Sequence, residues 1–383
     1  MPFTYQIIRD SRQFQELRDA WTVLLAGSES SSPFLTWEWM FEWWRHYCDG
    51  DHARTLAIVV ARRGADLAAI LPGYIHRKPL GLSTFAFLGT EFESSDYLRV
   101  IEDQEGGASA LPGMLDFLLK EEPRLDVLHM SNMLALGSNL SDLRRFAEAT
   151  GASHEIQVFK TCPYVPTVGD WEGYLAGLSS KMRKNVRRST RQLVEANAEF
   201  ILVRERAQVK TGIEELFELH ARRFSTKNEK TGFRTQTRGP FHAAVSERLF
   251  DADILRLFLL KTGGRTVAAL YCFEYAGTLH FFQSGIDPDS EKLSAGTVLV
   301  GHAIRYAFEK GLTCFDFMRG EEAYKFRWTD KSRQMFSVRV GISLRGRFYL
   351  ARQSRTVRVK NVLKRVAGRP PRRPVTPEVV EAS

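Results

Sequence analysis

Thr4 to Ile8 alternate polar and apolar as in a short strand, and Phe14, Leu17, Trp21, Leu24 and Leu25 then recur at helical spacing. The segment SPFLTWEWMFEWWRHY over 32–47 places Trp37, Trp39, Phe41, Trp43 and Trp44 on a second predicted helix, an aromatic density that marks core or an interface. Further along, the hydrophobic pattern repeats itself. AIVVARRGADLAAIL at 57–71 and LFLLKTGGRTVAALY at 257–271 both read as pairs of apolar strands around a glycine turn, with Gly64 opposite Gly264 and Ala68-Ala69 opposite Ala268-Ala269, an offset of 200. Each copy closes with a helix feeding a buried strand, LDFLLKEEPRLDVLHM in the first and VGHAIRYAFEKGLTCFDFM in the second. Helices that cross over between buried strands predict mixed α/β sheets. The expected organisation is a duplicated α/β chain: a domain over 1–165, a second over 166–350, and a basic, Pro-rich tail over 351–383. The first boundary lies near CPYVPTVGDW at 162–171, where two prolines interrupt regular structure.

Composition adds little to this picture until charge is located. The chain has 383 residues, 44% hydrophobic and 26% charged, which is ordinary for a globular protein, with a formal net charge of +9. Nine cations and two acids fall in 351–383, so that segment carries +7 and the rest of the chain only +2. Cys48, Cys162, Cys272 and Cys314 are widely spaced, without C-x-x-C or a histidine cluster, so neither a disulfide framework nor a metal site is expected. Charges among the first dozen residues argue against a signal peptide, and no apolar run reaches the roughly 20 residues of a membrane helix. The expected location is the cytoplasm, with peripheral attachment to the inner face of the membrane through the tail as an added expectation.

Three segments carry candidate chemistry. In SSKMRKNVRRSTRQL at 179–193, Lys181, Arg183, Lys184, Arg187, Arg188 and Arg191 fall on one arc of a helical wheel while Met182, Val186 and Leu193 fall on another. Such an arc suits phosphate, because guanidinium forks match phosphate oxygens. In TCFDFMRGEEAYKFRWTD at 313–330 a buried strand ends near Gly320, and Arg319, Glu321, Glu322, Tyr324, Lys325 and Arg327 crowd its carboxyl edge, where α/β sheets bind ligands. Ser294, Ala295 and Gly296 stand where a polar loop enters a helix, and small residues there let backbone N–H groups approach an anion. The P-loop and G-x-G-x-x-G patterns are absent, as is a G-x-S-x-G elbow, and His220 and His302 stand alone on predicted helices.

Together, LSSKMRKNVRR and FDFMRGEEAYKFRW resemble the GNAT-type acyltransferases of the CelD-like and FemAB-related group, bacterial proteins with tandem GNAT-like domains. The resemblance is sharpest over 170–345 and fainter over 1–165. It implies transfer of an acyl group from acyl-CoA, or of an aminoacyl group from charged tRNA, to an amine on an envelope, polysaccharide or cell-wall precursor. It also implies acyl-CoA as cosubstrate rather than a resident cofactor, with no stable nucleic-acid complex. Under this resemblance Asp316, Glu321 and Glu322 are candidate bases, Tyr324 protonates the leaving thiolate, and Lys325 steadies the charged intermediate. Lys181, Arg183, Asn185, Arg187, Arg188 and Arg319 would hold phosphates, and Ser294, Ala295 and Gly296 the donor. The stretch Glu291-Lys292-Leu293-Ser294-Ala295-Gly296 retains little of the family's glycine-rich pyrophosphate loop. A non-catalytic GNAT-fold scaffold is the alternative expectation.

Overall fold

The computed structural model describes residues 2–30, 32–77, 81–93, 95–103, 109–134, 139–225 and 238–353. The chain begins β1 (Thr4–Ile8), α1 (Ser11–Glu16), α2 (Arg18–Ala26), α3 (Trp37–Tyr47), β2 (Arg54–Leu56), β3 (Ile58–Arg63), β4 (Asp66–Leu71), β5 (Gly73–Arg77) and β6 (Ser83–Phe87). It continues with β7 (Ile101–Glu102), α4 (Leu111–Glu121), β8 (Val127–Leu134), α5 (Asn139–Ala149), β9 (Ser153–Pro166), α6 (Trp171–Gly177), α7 (Ser180–Glu195), β10 (Glu199–Leu202) and α8 (Arg206–Ser225). Next come α9 (Arg238–Asp251), β11 (Leu255–Thr262), β12 (Arg265–Tyr275), β13 (Thr278–Ile286), α10 (Ala295–Glu309), β14 (Cys314–Asp316) and β15 (Ser332–Gly341).

Two compact units result. One takes the chain up to Ser30, Phe34–Lys160 and the chain from Gln334; the other takes Ser31–Pro33 and Thr161–Arg333. Residues 334–350 therefore group with the first unit rather than with the second domain expected from sequence. The reason is strand pairing: β15 runs antiparallel to β8, with Met335 opposite Leu134 and Gly341 opposite Val127. Of the expected tail, residues 354–383 lie outside the described residues.

In the first unit, strands order as β1-β3-β4-β7 and as β15-β8-β6-β5-β2. The aromatic helix α3 is core. Trp37, Trp39, Met40 and Trp43 are buried, and Thr36 caps the helix by accepting the Trp39 N–H. Burying an indole leaves a donor to satisfy. Trp37 Nε1 donates to the Phe14 carbonyl at 2.9 Å, and Trp39 Nε1 to Ser95 Oγ at 2.8 Å.

The internal repeat is a repeated hairpin, but its register is 199, not 200. Arg63 pairs with Asp66 and Ala61 with Ala69 around the turn Gly64-Ala65; Thr262 pairs with Arg265 and Leu260 with Ala268 around Gly263-Gly264. Both hairpins carry a bulge at the same place, between Ala61 and Arg62 and between Leu260 and Lys261. Matching glycine to the second residue of the Gly-Gly turn hid the one-residue difference. Each hairpin also receives an antiparallel outer strand, β1 on β3 and β10 on β11.

The second unit contains the sheet run β10-β11-β12-β13-β14-β9. A parallel β13–β14 pair requires a crossover, and α10 supplies it. Ala295, Val298, Leu299, Ala303, Ile304 and Ala307 of α10 pack with Met182, Val186 and Leu193 of α7 over the sheet side chains Phe258, Leu270 and Phe281. Helix α8 packs on β12 and β13. There the backbone of β13 comes so close that a Cβ on Gly285 would lie 2.4 Å from the Leu216 carbonyl oxygen and 2.8 Å from Leu219 Cβ. Gly285→Ala is therefore expected to cost about 1–3 kcal/mol, as overpacking does, read as a lower denaturation midpoint at unchanged m-value. A variant as stable as its parent would show that α8 yields.

Candidate functional site

The site begins where two parallel strands part. β13 and β14 pair only from Thr278 opposite Cys314 to His280 opposite Asp316. Beyond Asp316 the chain stays with β9: the Phe317 N–H donates to the Pro163 carbonyl and the Gly320 N–H to the Thr161 carbonyl, each at 2.9 Å. Asp316 Oδ1 accepts the Met318 N–H at 2.7 Å, and Met318 takes a left-handed φ of 57°, which turns the chain. Meanwhile β13 runs six residues further, to Ile286, paired among the described residues only with β12. One edge of Phe281–Ile286 thus faces a wedge. A bulge leaves Phe282 opposite no residue of β12, since Tyr271 pairs with Gln283 and Cys272 with Phe281. The bulge resets the alternation, so Phe281, Ser284 and Ile286 all line the cavity that fills the wedge.

That cavity has a volume of about 380 Å³. Met182 and Val300 contribute apolar wall, and the first turn of α10 enters it through Ser294, Ala295, Gly296 and Thr297. The first helical hydrogen bond of α10 runs from the Val298 N–H to the Ser294 carbonyl, leaving the N–H groups of Ala295, Gly296 and Thr297 without intrahelical partners. Ser294 has a φ of 52° and its side chain does not cap the helix. At Gly296 the first turn of α10 packs against the Ile286 side chain: a Cβ there would lie 2.3 Å from Ile286 Cδ1. The loop between β13 and α10 is pinned by Asp287, 2% exposed, whose carboxylate meets Arg222 at 3.1 Å and Arg265 at 2.7 Å. The opposite wall carries Tyr324, Arg327 and Trp328. The Tyr324 ring stands edge-on to Phe317, with centroids 6.3 Å apart.

The structure thus brings Ser294, Ala295, Gly296 and Tyr324 to one cavity. It places the other sequence candidates elsewhere. Asp316 is fully buried, turned onto the Met318 N–H and 3.7 Å from Arg333, so it shapes the strand end instead of lining the cavity. Glu321 accepts a hydrogen bond from Thr161 at 3.2 Å, and Glu322 pairs with Lys325 at 3.0 Å. Lys325, expected to face a charged intermediate, is 4% exposed and aims its ammonium at the Arg319 carbonyl (2.7 Å) and the Met318 carbonyl (3.4 Å). Its place is that of a loop clamp, and Arg319 enters this clamp through its carbonyl. Lys325→Ala is accordingly expected to lower stability by about 2 kcal/mol through loss of charge-assisted hydrogen bonds to the loop, measured by denaturant titration. A variant with wild-type stability and abolished transfer would instead restore the catalytic role.

The cationic arc of α7 also divides. Arg183 donates to the carbonyls of Ala176 (2.6 Å) and Leu178 (2.5 Å), satisfying the carboxyl end of α6, and Arg187 pairs with Glu172 at 3.2 Å. Arg183 therefore serves a helix end rather than a phosphate. On the opposite flank Lys181 and Arg188 are exposed and Asn185 is half-buried, with Arg188 donating to Asn185 at 3.3 Å. His302 stacks on Phe200 with ring centroids 4.8 Å apart. Asp287, Arg222 and Arg265 were missed by sequence reasoning, since 65 residues separate Arg222 from Asp287 and no motif joins them. Arg327 stood in view among the charges after β14, but its sequence context did not single it out.

A wedge between parallel strands thus faces a helix amino terminus, and the stretch that builds most of it is similar to known proteins. Residues 180–326 match the family described as an acetyltransferase (GNAT) domain. Residues 180–326 are a GNAT-type domain. The match takes in α7 and every residue lining the cavity except Arg327 and Trp328, and ends at Phe326. Among solved structures the chain resembles FemX, with a TM-score of 0.60 at 11% identity over 92% of this chain and 99% of FemX. It also resembles a conserved protein of unknown function from Bacteroides thetaiotaomicron, with a TM-score of 0.56 at 11% identity over 88% of this chain and all of the other. L-PGS from Bacillus licheniformis follows with 0.51 at 10% identity, covering 85% and 92% of the two chains. At such identities the likeness is one of fold. No curated protein matches in sequence.

Proposed function

We propose that the GNAT domain is an N-acyltransferase that takes its acyl group from acyl-CoA and passes it to an amine on an envelope, polysaccharide or cell-wall precursor in the cytoplasm. The observation that carries this reading is the shared cavity. It combines an unpaired strand edge, three free N–H groups at the head of α10 and the Tyr324 phenol. An extended amide-bearing donor arm can add to the free edge of β13 as a strand would. Its phosphates suit the amino terminus of α10 and the Arg327 guanidinium. Asp287, the carboxylate lining the cavity, is neutralised by two arginines and is not a free base. The acceptor amine therefore attacks as its neutral form. Its nitrogen bonds to the thioester carbonyl carbon, the oxyanion collapses, the C–S bond breaks, and the thiolate takes a proton from Tyr324, while the new amide loses one to solvent and Tyr324 regains one from it. The exposed cations Lys181 and Arg188 suit a charged-tRNA donor equally, so the donor is decided by experiment.

The deciding measurement is a thermal-shift series with acyl-CoAs of increasing chain length, followed by transfer of labelled acyl groups to amine libraries. Donor at a hundred times its Kd adds about 2.7 kcal/mol to the native state, a readily visible shift. Absence of any shift together with absence of transfer removes the acyl-CoA reading and leaves aminoacyl-tRNA or a non-catalytic scaffold, which transfer assays with charged tRNA then separate.

A further inference from the structure

Beyond the transfer site, the segment after β15 carries a surface that the proposed chemistry does not use. Residues 344–353 form a last described helix, α11. One face is fixed to the first unit: Leu350 is buried, Gly346 packs so closely that a Cβ would meet the Asp126 carbonyl, and Ser343 at the helix start hydrogen-bonds Asp126. The other face points outward. Leu344 is 84% exposed, Phe348 72% and Tyr349 37%, and the exposed Arg345 and Arg352 lie on the same stripe, at helical spacing from Leu344 and Phe348. Among the described residues, three of the large exposed apolar side chains therefore gather on these ten residues, interleaved with arginine. The chain from 343 to 377 contains eleven Lys and Arg and no Asp or Glu.

We propose that α11 docks on an anionic lipid bilayer, lying in the interface with Leu344, Phe348 and Tyr349 in the acyl boundary and its arginines among the headgroups. Apolar side chains set among cations, without acids, match the interfacial pattern. Charge separates this occupant from the others. A second copy would set one cationic stripe against another, and folding the following segment back over α11 would do the same. Nucleic acid would engage the arginines and leave Leu344 and Phe348 in water. The inference is independent of the transfer reaction and survives its failure.

The test is co-sedimentation of the full chain with phosphatidylcholine vesicles prepared with and without phosphatidylglycerol. Binding is expected only with the anionic lipid and to weaken with salt. The double variant Leu344→Ser/Phe348→Ser should bind roughly tenfold more weakly, through lost apolar burial, with an unchanged thermal midpoint. Val168→Ser, which removes an equally exposed apolar side chain in the second unit, should bind as wild type. Equal binding to neutral vesicles, or a double variant that binds as wild type, overturns the proposal. So does a wild-type chain that stays in the supernatant, whether it proves to be a dimer lost in the variant, a chain whose midpoint falls in the variant because its own tail covers α11, or one that binds RNA.

Discussion

Replacing Tyr324 with phenylalanine is expected to lower kcat for acyl transfer by about a hundredfold or more, the range in which a positioned general acid contributes. The substitution is conservative for packing. Tyr324 meets Phe317 through its ring, edge to face, and phenylalanine retains that contact. Only the phenolic O–H is lost, from a side chain that lines the cavity and is 36% exposed. A thiolate departing into a partly enclosed wedge needs a proton as the C–S bond breaks, and that demand exists in the transition state and not in the bound donor. Hence kcat and kcat/KM should fall together while the donor-induced thermal shift stays as in wild type. Unchanged kcat in the variant would move proton delivery to water, and a loss of donor binding with unaltered kcat would make Tyr324 a binding residue.

What was legible beforehand followed from local periodicity. The strands, the repeated hairpin and the basic helix all arise from patterns within a few residues, where the 2.0 and 3.6 periods determine which side chains share a face; the buried strand expected to end near Gly320 ends at Asp316, where the Asp316 carboxylate takes the Met318 N–H and turns the chain. The misplacements share a different origin. A helical wheel gives the angle of Arg183 but not the neighbour that fills that sector, and the neighbour is the open carboxyl end of α6. The catalytic role of Lys325 rests on the family resemblance alone. In the structure the short helical turn Lys325–Arg327 makes neighbours diverge, so that Tyr324 and Arg327 face the cavity and Lys325 turns to the Met318 and Arg319 carbonyls. The boundary error at 334–350 has the same cause, since nothing inside β15 reveals that its partner is β8, some two hundred residues earlier. Asp287 is the clearest case, because the two arginines that neutralise it are distant in sequence.

Asp287→Ala is therefore expected to destabilise the protein by about 3 kcal/mol, the lower end of what breaking a buried ion pair costs. The lower end applies because the arginines left behind are not trapped: the side chains of Arg222 and Arg265 are 36% and 58% exposed and can turn to water. The carboxylate also does more than balance charge. It accepts the Asp289 N–H at 3.1 Å, and the Asp287 carbonyl accepts the Ser290 N–H at 3.0 Å, so the same residue folds the connection that delivers α10 to the cavity. Loss of the side chain should thus loosen the amino end of α10 and weaken donor binding beyond the loss of stability. Denaturant titration and donor titration of Asp287→Ala, Arg265→Ala and the double variant separate the two effects. If the pair is coupled, the double variant should be less destabilised than the sum of the singles, since the Asp287–Arg265 contact is then lost only once, while Arg222 keeps its pair with Asp289. Strict additivity would show that Asp287 acts through Arg222 and its loop hydrogen bonds and not through Arg265, and donor affinity equal to wild type would detach the loop from phosphate recognition.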